Sequence, residues 1–207
     1  MTPQRKASRF LTMAITTVIA ISPFLAIPAV AAPEPPFEVT FPQETQVTVF
    51  ASTFGAGRSG GRRHTGNDLM APKMTKVYAA ADGVITVIDT SSRGGRYIEI
   101  DHGSGWTTRY MHLNNDHPGT DNGSAVWAFT VVSGLAVGSL VRAGQHIAWV
   151  GDSGNAEWTG SHTHFEIAHE GREIDPYPYL KVAFVHAQER YLAENFDLAP
   201  AALNGRL

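Results

Sequence analysis

Short runs rich in β-branched and aromatic residues recur along the chain: QVTVFAS, GVITVID, RYIEIDHG, WTTRYMHL, QHIAWVG and THFEIAH, with glycine-rich turns between them. Their composition, spacing and turn residues predict mainly antiparallel strands. Only the stretch at about 180–195, LKVAFVHAQERYLAEN, has a helical period. A mainly β domain with a short C-terminal helix is therefore expected, with no fixed-period repeat or low-complexity tract.

Residues 1–31 read differently. A basic start (Arg5, Lys6, Arg9), a long apolar run and an Ala-Val-Ala exit have the form of a secretory signal peptide, with cleavage expected after Ala31 or, alternatively, Ala32. The length of the apolar run makes an uncleaved membrane anchor the competing reading; Pro23, Pro28 and the alanine-rich exit favour cleavage. Three of the 16 Lys and Arg lie in this stretch and none of the 19 Asp and Glu, so the remainder carries 13 against 19, a net charge of −6. An exported acidic domain is a poor nucleic-acid binder, because that binding rests on phosphate neutralisation by Lys and Arg. The absence of cysteine excludes disulfides, thiolate zinc sites, a cysteine nucleophile and a lipidated N-terminal cysteine.

The expected organisation is a signal peptide (1–31), an extended Pro- and Glu-rich lead-in (32–47), one β domain (48–180) and a C-terminal helix and tail (181–207). Within the domain, residues 114–138 are insertion-like, turn residues first and apolar residues after, and read as a long surface loop with a short strand of its own.

Nine histidines occur, and three stretches set five chemistry-bearing residues apart. HTGNDLMAP holds His64 and Asp68; Gly66 and Asn67 between them predict a loop, which can still converge an imidazole and a carboxylate on one metal. YMHL holds His112 at a strand end. GSHTHFEI holds His162 and His164, which the period of two places on one face of a strand, leaving Phe165 and Ile167 to the core. A hydrolytic zinc site takes three protein ligands and keeps one position for water. Histidine nitrogen and carboxylate oxygen suit Zn²⁺, although ligand type alone leaves other divalent metals open.

Taken together and in this order, the three stretches resemble the signature of the LytM/lysostaphin-type zinc metallopeptidases, which are peptidoglycan endopeptidases. The strand-and-turn rhythm is similar from about Thr48 to Leu180. The resemblance implies an antiparallel β-sandwich of the duplicated-hybrid-motif type with a groove over one sheet. It implies Zn²⁺ on His64, Asp68 and His164, with His112 and His162 as non-ligand catalytic histidines. It implies peptidoglycan peptides as partners, in the periplasm or the cell wall and extracellular space, with a membrane involved only if the signal segment stays uncleaved. Some relatives are non-catalytic wall-binding modules or activators of other hydrolases, which is the alternative reading. The long 114–138 segment and Met111, where a small residue is commoner, depart from the family pattern and leave groove shape and substrate open.

The remaining histidines (102, 117, 146, 169, 186) read as structural or surface residues, and Arg58, Arg62 and Arg63 as a solvated basic loop or as holders of substrate carboxylates. GAGRSG matches a dinucleotide fingerprint but runs into Arg-Arg-His-Thr-Gly, which cannot open the required helix. GDSG resembles a serine-protease nucleophile loop, yet a tight turn between strands accounts for it.

Overall fold

A computed structural model describes residues 33–196; the expected signal peptide and residues 197–207 of the tail lie outside them. Nine strands precede one helix: β1 (Asn67–Met70), β2 (Lys76–Tyr78), β3 (Gly83–Ser91), β4 (Gly95–Asp101), β5 (Trp106–Leu113), β6 (Leu140–Val141), β7 (His146–Trp149), β8 (His162–His169), β9 (Arg172–Ile174) and α1 (Tyr177–Phe196). All pairings are antiparallel, in a sheet of order β1-β8-β5-β4-β3-β6 with β9 also on β8, and in a ribbon of β2 with β7. The mainly β antiparallel architecture with one C-terminal helix is the expected one.

Strand alternation builds the core. Trp106, Thr108 and Tyr110 of β5 are buried, and Phe165 and Ile167 of β8 pack beside them, the Tyr110 and Phe165 rings 5.3 Å apart. Each large apolar side chain fully buried here stabilises the fold by about 1.5–3 kcal/mol. The intervening residues Arg109 and Met111 face the opposite side of the sheet, and that side carries the groove. Because β8 lies between β1 and β5, His164 has Asp68 as its cross-strand partner on one side and Met111 on the other.

α1 lays Leu180 and Ala183 on the core, and Phe184 meets Phe41 of the lead-in with ring centres 5.0 Å apart. Among the described residues no helix is long and apolar enough to cross a membrane.

Three local expectations need correction. QVTVFAS forms no strand; only Val49 pairs, with Met70, since β1 is four residues long and Val47 and Val49 point to solvent. The 114–138 segment has no strand of its own but a 3-10 turn at Trp127–Phe129 and a single bridge from Val131 to Ala148. Polar anchors hold it in this shape. Arg96 donates to Thr130 Oγ1 and to the Ala125 carbonyl, both at 2.6 Å, and Lys73 Nζ lies 2.7, 2.7 and 2.8 Å from carboxylates of Asp116, Asp121 and Asp152. Finally, Asp68 sits in β1, so only the residues from His64 to Gly66 form the expected loop.

Candidate metal centre

The five residues singled out by sequence converge on one groove of about 930 Å³. His64 enters from the loop before β1, Asp68 from β1, His112 from β5, and His162 and His164 from β8. His64 Nε2 lies 2.9 Å from His164 Nδ1 and 3.0 Å from Asp68 Oδ1, and the third edge, His164 Nδ1 to Asp68 Oδ1, is 2.9 Å. Two nitrogens and one oxygen thus form a nearly equilateral triangle of donor atoms that could hold a metal ion.

The outer contacts decide which nitrogen faces inward. His64 Nδ1 meets the Thr53 carbonyl at 3.0 Å, an acceptor only, so it carries the proton and leaves the Nε2 lone pair free. His164 Nε2 meets Glu166 Oε1 at 3.0 Å, which leaves Nδ1 for the triangle. Glu166 is itself held by Thr65 Oγ1 and, at 3.3 Å, by Arg109. Asp68 Oδ2 accepts from Arg58 at 2.7 Å, leaving Oδ1 inward. This is the arrangement in which outer carboxylates and carbonyls orient metal-binding imidazoles.

Electrostatics agree with a cation-seeking site. Burial alone would raise the Asp68 pKa, but the close imidazoles of His164 and His64 and the nearby His162, which favour the carboxylate, hold it far below the ordinary carboxylate range. Burial disfavours charge on His164, yet Asp68 and Glu166 outweigh it and raise its pKa. Burial would likewise raise Glu166, and its bonds to His164 and Thr65 bring it down instead. The donor set is therefore electron-rich and fits a divalent ion such as Zn²⁺ without sulfur.

His112 and His162 stand beside the triangle rather than in it. Their rings are 4.9 Å apart, and His162 Nε2 lies 3.8 Å from Asp68 Oδ1. His162 Nδ1 donates to the Gly160 carbonyl at 2.7 Å and His112 Nδ1 to the Ser153 carbonyl at 2.8 Å, so each leaves its Nε2 free. Burial, reinforced by His162 and His164 and opposed by the Ser153 carbonyl, pushes the His112 pKa down to about 4.

His112 reaches the groove only through a backbone irregularity. Tyr110 is buried in the core, so simple alternation would also aim His112 at the core. The β4–β5 register shifts between Arg96 and Ile98, and His112 has φ +58°. This bulge turns its side chain to the groove and leaves Leu113 in the core. The GDSG turn has a supporting role: Ser153 Oγ accepts from Arg96 N at 2.9 Å and donates to the Leu113 carbonyl at 2.6 Å.

Gly66 marks the closest approach of the His64–Asp68 loop to β8, where a Cβ would collide with the Phe165 carbonyl oxygen. GAGRSG forms the lip that delivers Arg58 and runs into a 3-10 turn at Ser59–Gly61. No residue of 34–47 or 114–138 lines the groove. The sequence reading missed Glu166 as a support. The signal was present, since Glu166 lies two residues beyond His164 on the same strand face.

Residues 62–176 match Peptidase family M23. The chain belongs to that family. Peptidoglycan DD-endopeptidase ShyB of Vibrio cholerae is 32% identical over 112 residues, 54% of this chain and 22% of that protein. DD-carboxypeptidase/endopeptidase Mpg of Neisseria meningitidis is 36% identical over 115 residues, 56% and 22% of the respective lengths. Murein hydrolase activator EnvC of Escherichia coli is 32% identical over 127 residues, 61% of this M23 chain and 26% of EnvC. The match therefore spans about a fifth to a quarter of these relatives. Among solved structures, a zinc-containing peptidase from Vibrio cholerae superposes with a TM-score of 0.53 at 28% identity, over 67% of this chain and 39% of that one. The catalytic domain of lysostaphin from Staphylococcus simulans does so with a TM-score of 0.51 at 27% identity, over 65% and 92%.

Proposed function

We propose that this M23 chain is an exported, zinc-dependent endopeptidase that hydrolyses peptide bonds in peptidoglycan stem peptides or crossbridges. The observation that carries the reading is the complete set: a two-nitrogen, one-oxygen triangle with two more histidines presenting free Nε2 atoms to the same groove. His64, Asp68 and His164 are assigned to the metal. Zinc held there supplies Lewis acidity, acidifying a water toward a pKa of about 7 and polarising the scissile carbonyl.

The chain's own residues do the rest. His112 and His162 share the proton traffic through their Nε2 atoms, accepting the proton of the attacking water and passing one to the departing amine. Once protonated, either imidazole is a donor to the oxyanion that develops on the carbonyl. Glu166, Thr53 and Arg58 keep the ligand atoms aimed inward. The basic, apolar and small-residue pattern of residues 1–31 supports export, after which the domain would work in the periplasm or at the wall.

A second reading, a non-catalytic activator of other hydrolases, is favoured by the similarity to EnvC. The intact five-residue set argues against it. Digestion of purified peptidoglycan by the zinc-loaded protein, with mass spectrometry of the released peptides, separates the two. Chelator-sensitive cleavage is expected; no cleavage by fully metallated protein would leave the activator reading standing.

A further inference from the structure

The groove differs in charge from the chain that builds it. Beyond residue 31 the chain carries a net charge of −6, yet five arginines line the groove against Asp68, Glu166 and Glu173. Two of the five are occupied. Arg58 binds Asp68, and Arg109 binds Glu99 and Glu166. Arg62, Arg63 and Arg93 are exposed, and among the described residues none of them pairs with a carboxylate.

Their placement is two-sided. Arg62 and Arg63 end the lip that precedes β1, whereas Arg93 lies in the turn between β3 and β4, on the other side of β8 and β5 in the sheet order. The metal triangle lies on the floor between them. Arg62 is held only by long contacts to Ser59, 3.2 Å to the carbonyl and 3.4 Å to the hydroxyl, and Arg63 only by the Gly55 carbonyl at 3.0 Å. Arg93 makes no side-chain hydrogen bond among the described residues. Side chains at Gly55, Gly57, Gly60 or Gly61 would meet nothing within 4 Å, so the lip is loosely packed at these positions. Guanidinium groups are weakly hydrated planar forks that match carboxylates with two parallel hydrogen bonds. An acidic peptide lying across the floor would find such forks on both walls.

We propose that Arg62, Arg63 and Arg93 determine substrate choice, selecting peptides with free carboxylates close to the scissile amide over amidated or uncharged ones. The inference rests on reading the groove as a peptide site. It deepens that reading by naming the class of peptide. The arginines are specificity residues: they touch the substrate's flanks and leave the metal triangle alone. Each exposed fork contributes little by itself, so the selection comes from several acting on one peptide.

The test measures binding separately from hydrolysis. Two synthetic peptides of one sequence, one with free side-chain and α-carboxylates and one fully amidated, are titrated calorimetrically into the metal-free full chain, where no metal can account for carboxylate preference. The carboxylate peptide should bind about tenfold more tightly, and added salt should shrink the difference. In the combined Arg62→Gln, Arg63→Gln, Arg93→Gln variant the two affinities should become equal, with the zinc stoichiometry and thermal unfolding of the wild type retained. Equal affinities in the wild type, absence of binding by both peptides, or a preference that survives in the variant would each overturn the proposal. If the variant fails to fold, Arg93→Gln alone must reduce the preference, and no reduction overturns it. A wild type that prefers the carboxylate peptide yet hydrolyses neither when zinc-loaded would sink the peptidase reading and leave the selectivity intact.

Discussion

His64 Nε2 and His164 Nδ1 face each other at 2.9 Å, and both carry lone pairs toward the same point because their other ring nitrogens are turned to Thr53 and Glu166. With Asp68 Oδ1 as the third corner, that point suits a cation or a proton. The raised pKa of His164 is the proton's version of the same demand.

Removing a corner should therefore remove the metal. His164→Ala and Asp68→Ala proteins should lose stoichiometric zinc by elemental analysis and lose all measurable hydrolysis. His162→Ala should keep its zinc and lose about a hundredfold or more in kcat. Full hydrolysis by His162→Ala would refute this division of roles.

Glu166 orients His164 without touching the triangle. Glu166→Gln keeps the shape and removes the charge, so zinc affinity should fall about 10- to 100-fold in a competition titration with a chromogenic chelator. Unchanged affinity would show that the Glu166 contact is incidental.

Ser153 carries the hydroxyl of the GDSG turn, and both of its hydrogen bonds are to backbone. Ser153→Ala should lower stability by about 1–3 kcal/mol in denaturant unfolding and leave peptide hydrolysis largely intact, since His112 is held by the Ser153 carbonyl. A complete loss of activity in a folded, metallated Ser153→Ala protein would revive the nucleophilic-serine reading.

Lys73 is the shared counter-ion of Asp116, Asp121 and Asp152, of which Asp116 and Asp152 are buried. Lys73→Met leaves buried negative charge uncompensated, and a loss of about 3–5 kcal/mol is expected by chemical denaturation. The 114–126 stretch should show the largest gain in amide hydrogen exchange.

Acid should destabilise the metal-free protein well above the carboxylate range. Burial lowers the pKa of His102 below its ordinary 6.5, despite its bond to the Asp82 carbonyl, and lowers that of His112 to about 4. His112 is thus neutral when folded and protonated when unfolded between about pH 6.5 and 4, and His102 acts in the same direction below pH 6.5. The unfolded state binds more protons, so stability falls as pH drops from 6.5 toward 4, by up to about 1.4 kcal/mol per pH unit from His112, with His102 adding to the fall in the upper part of the range. Denaturant unfolding at stepped pH should show this slope, and His102→Gln should flatten it. A slope unchanged in His102→Gln would remove His102 from the account.

Much of the architecture was legible because strand formation is local. The runs GVITVID, WTTRYMHL and THFEIAH carry a period of two and form β3, β5 and β8; β8 keeps it, whereas bulges interrupt it between Ile85 and Val87 of β3 and at His112 of β5. QVTVFAS failed because propensity cannot supply a partner, and only Val49 found one. The shape of the 114–138 segment is not legible in the sequence because its order comes from Arg96 and Lys73, which lie far from it along the chain.

The sequence by itself determined the donor types, the strand character and the common face of His162 and His164, since these depend on residue identity and alternation alone. Only the tertiary structure decided which nitrogen of each histidine faces the triangle. It alone brought His64 and His164 together across the chain, turned His112 to the groove through a bulge, and left three arginines unpaired on opposite walls. Such relations depend on β-sheet register and on hydrogen-bond acceptors supplied by distant backbone, and neither is encoded in the local pattern of a single strand.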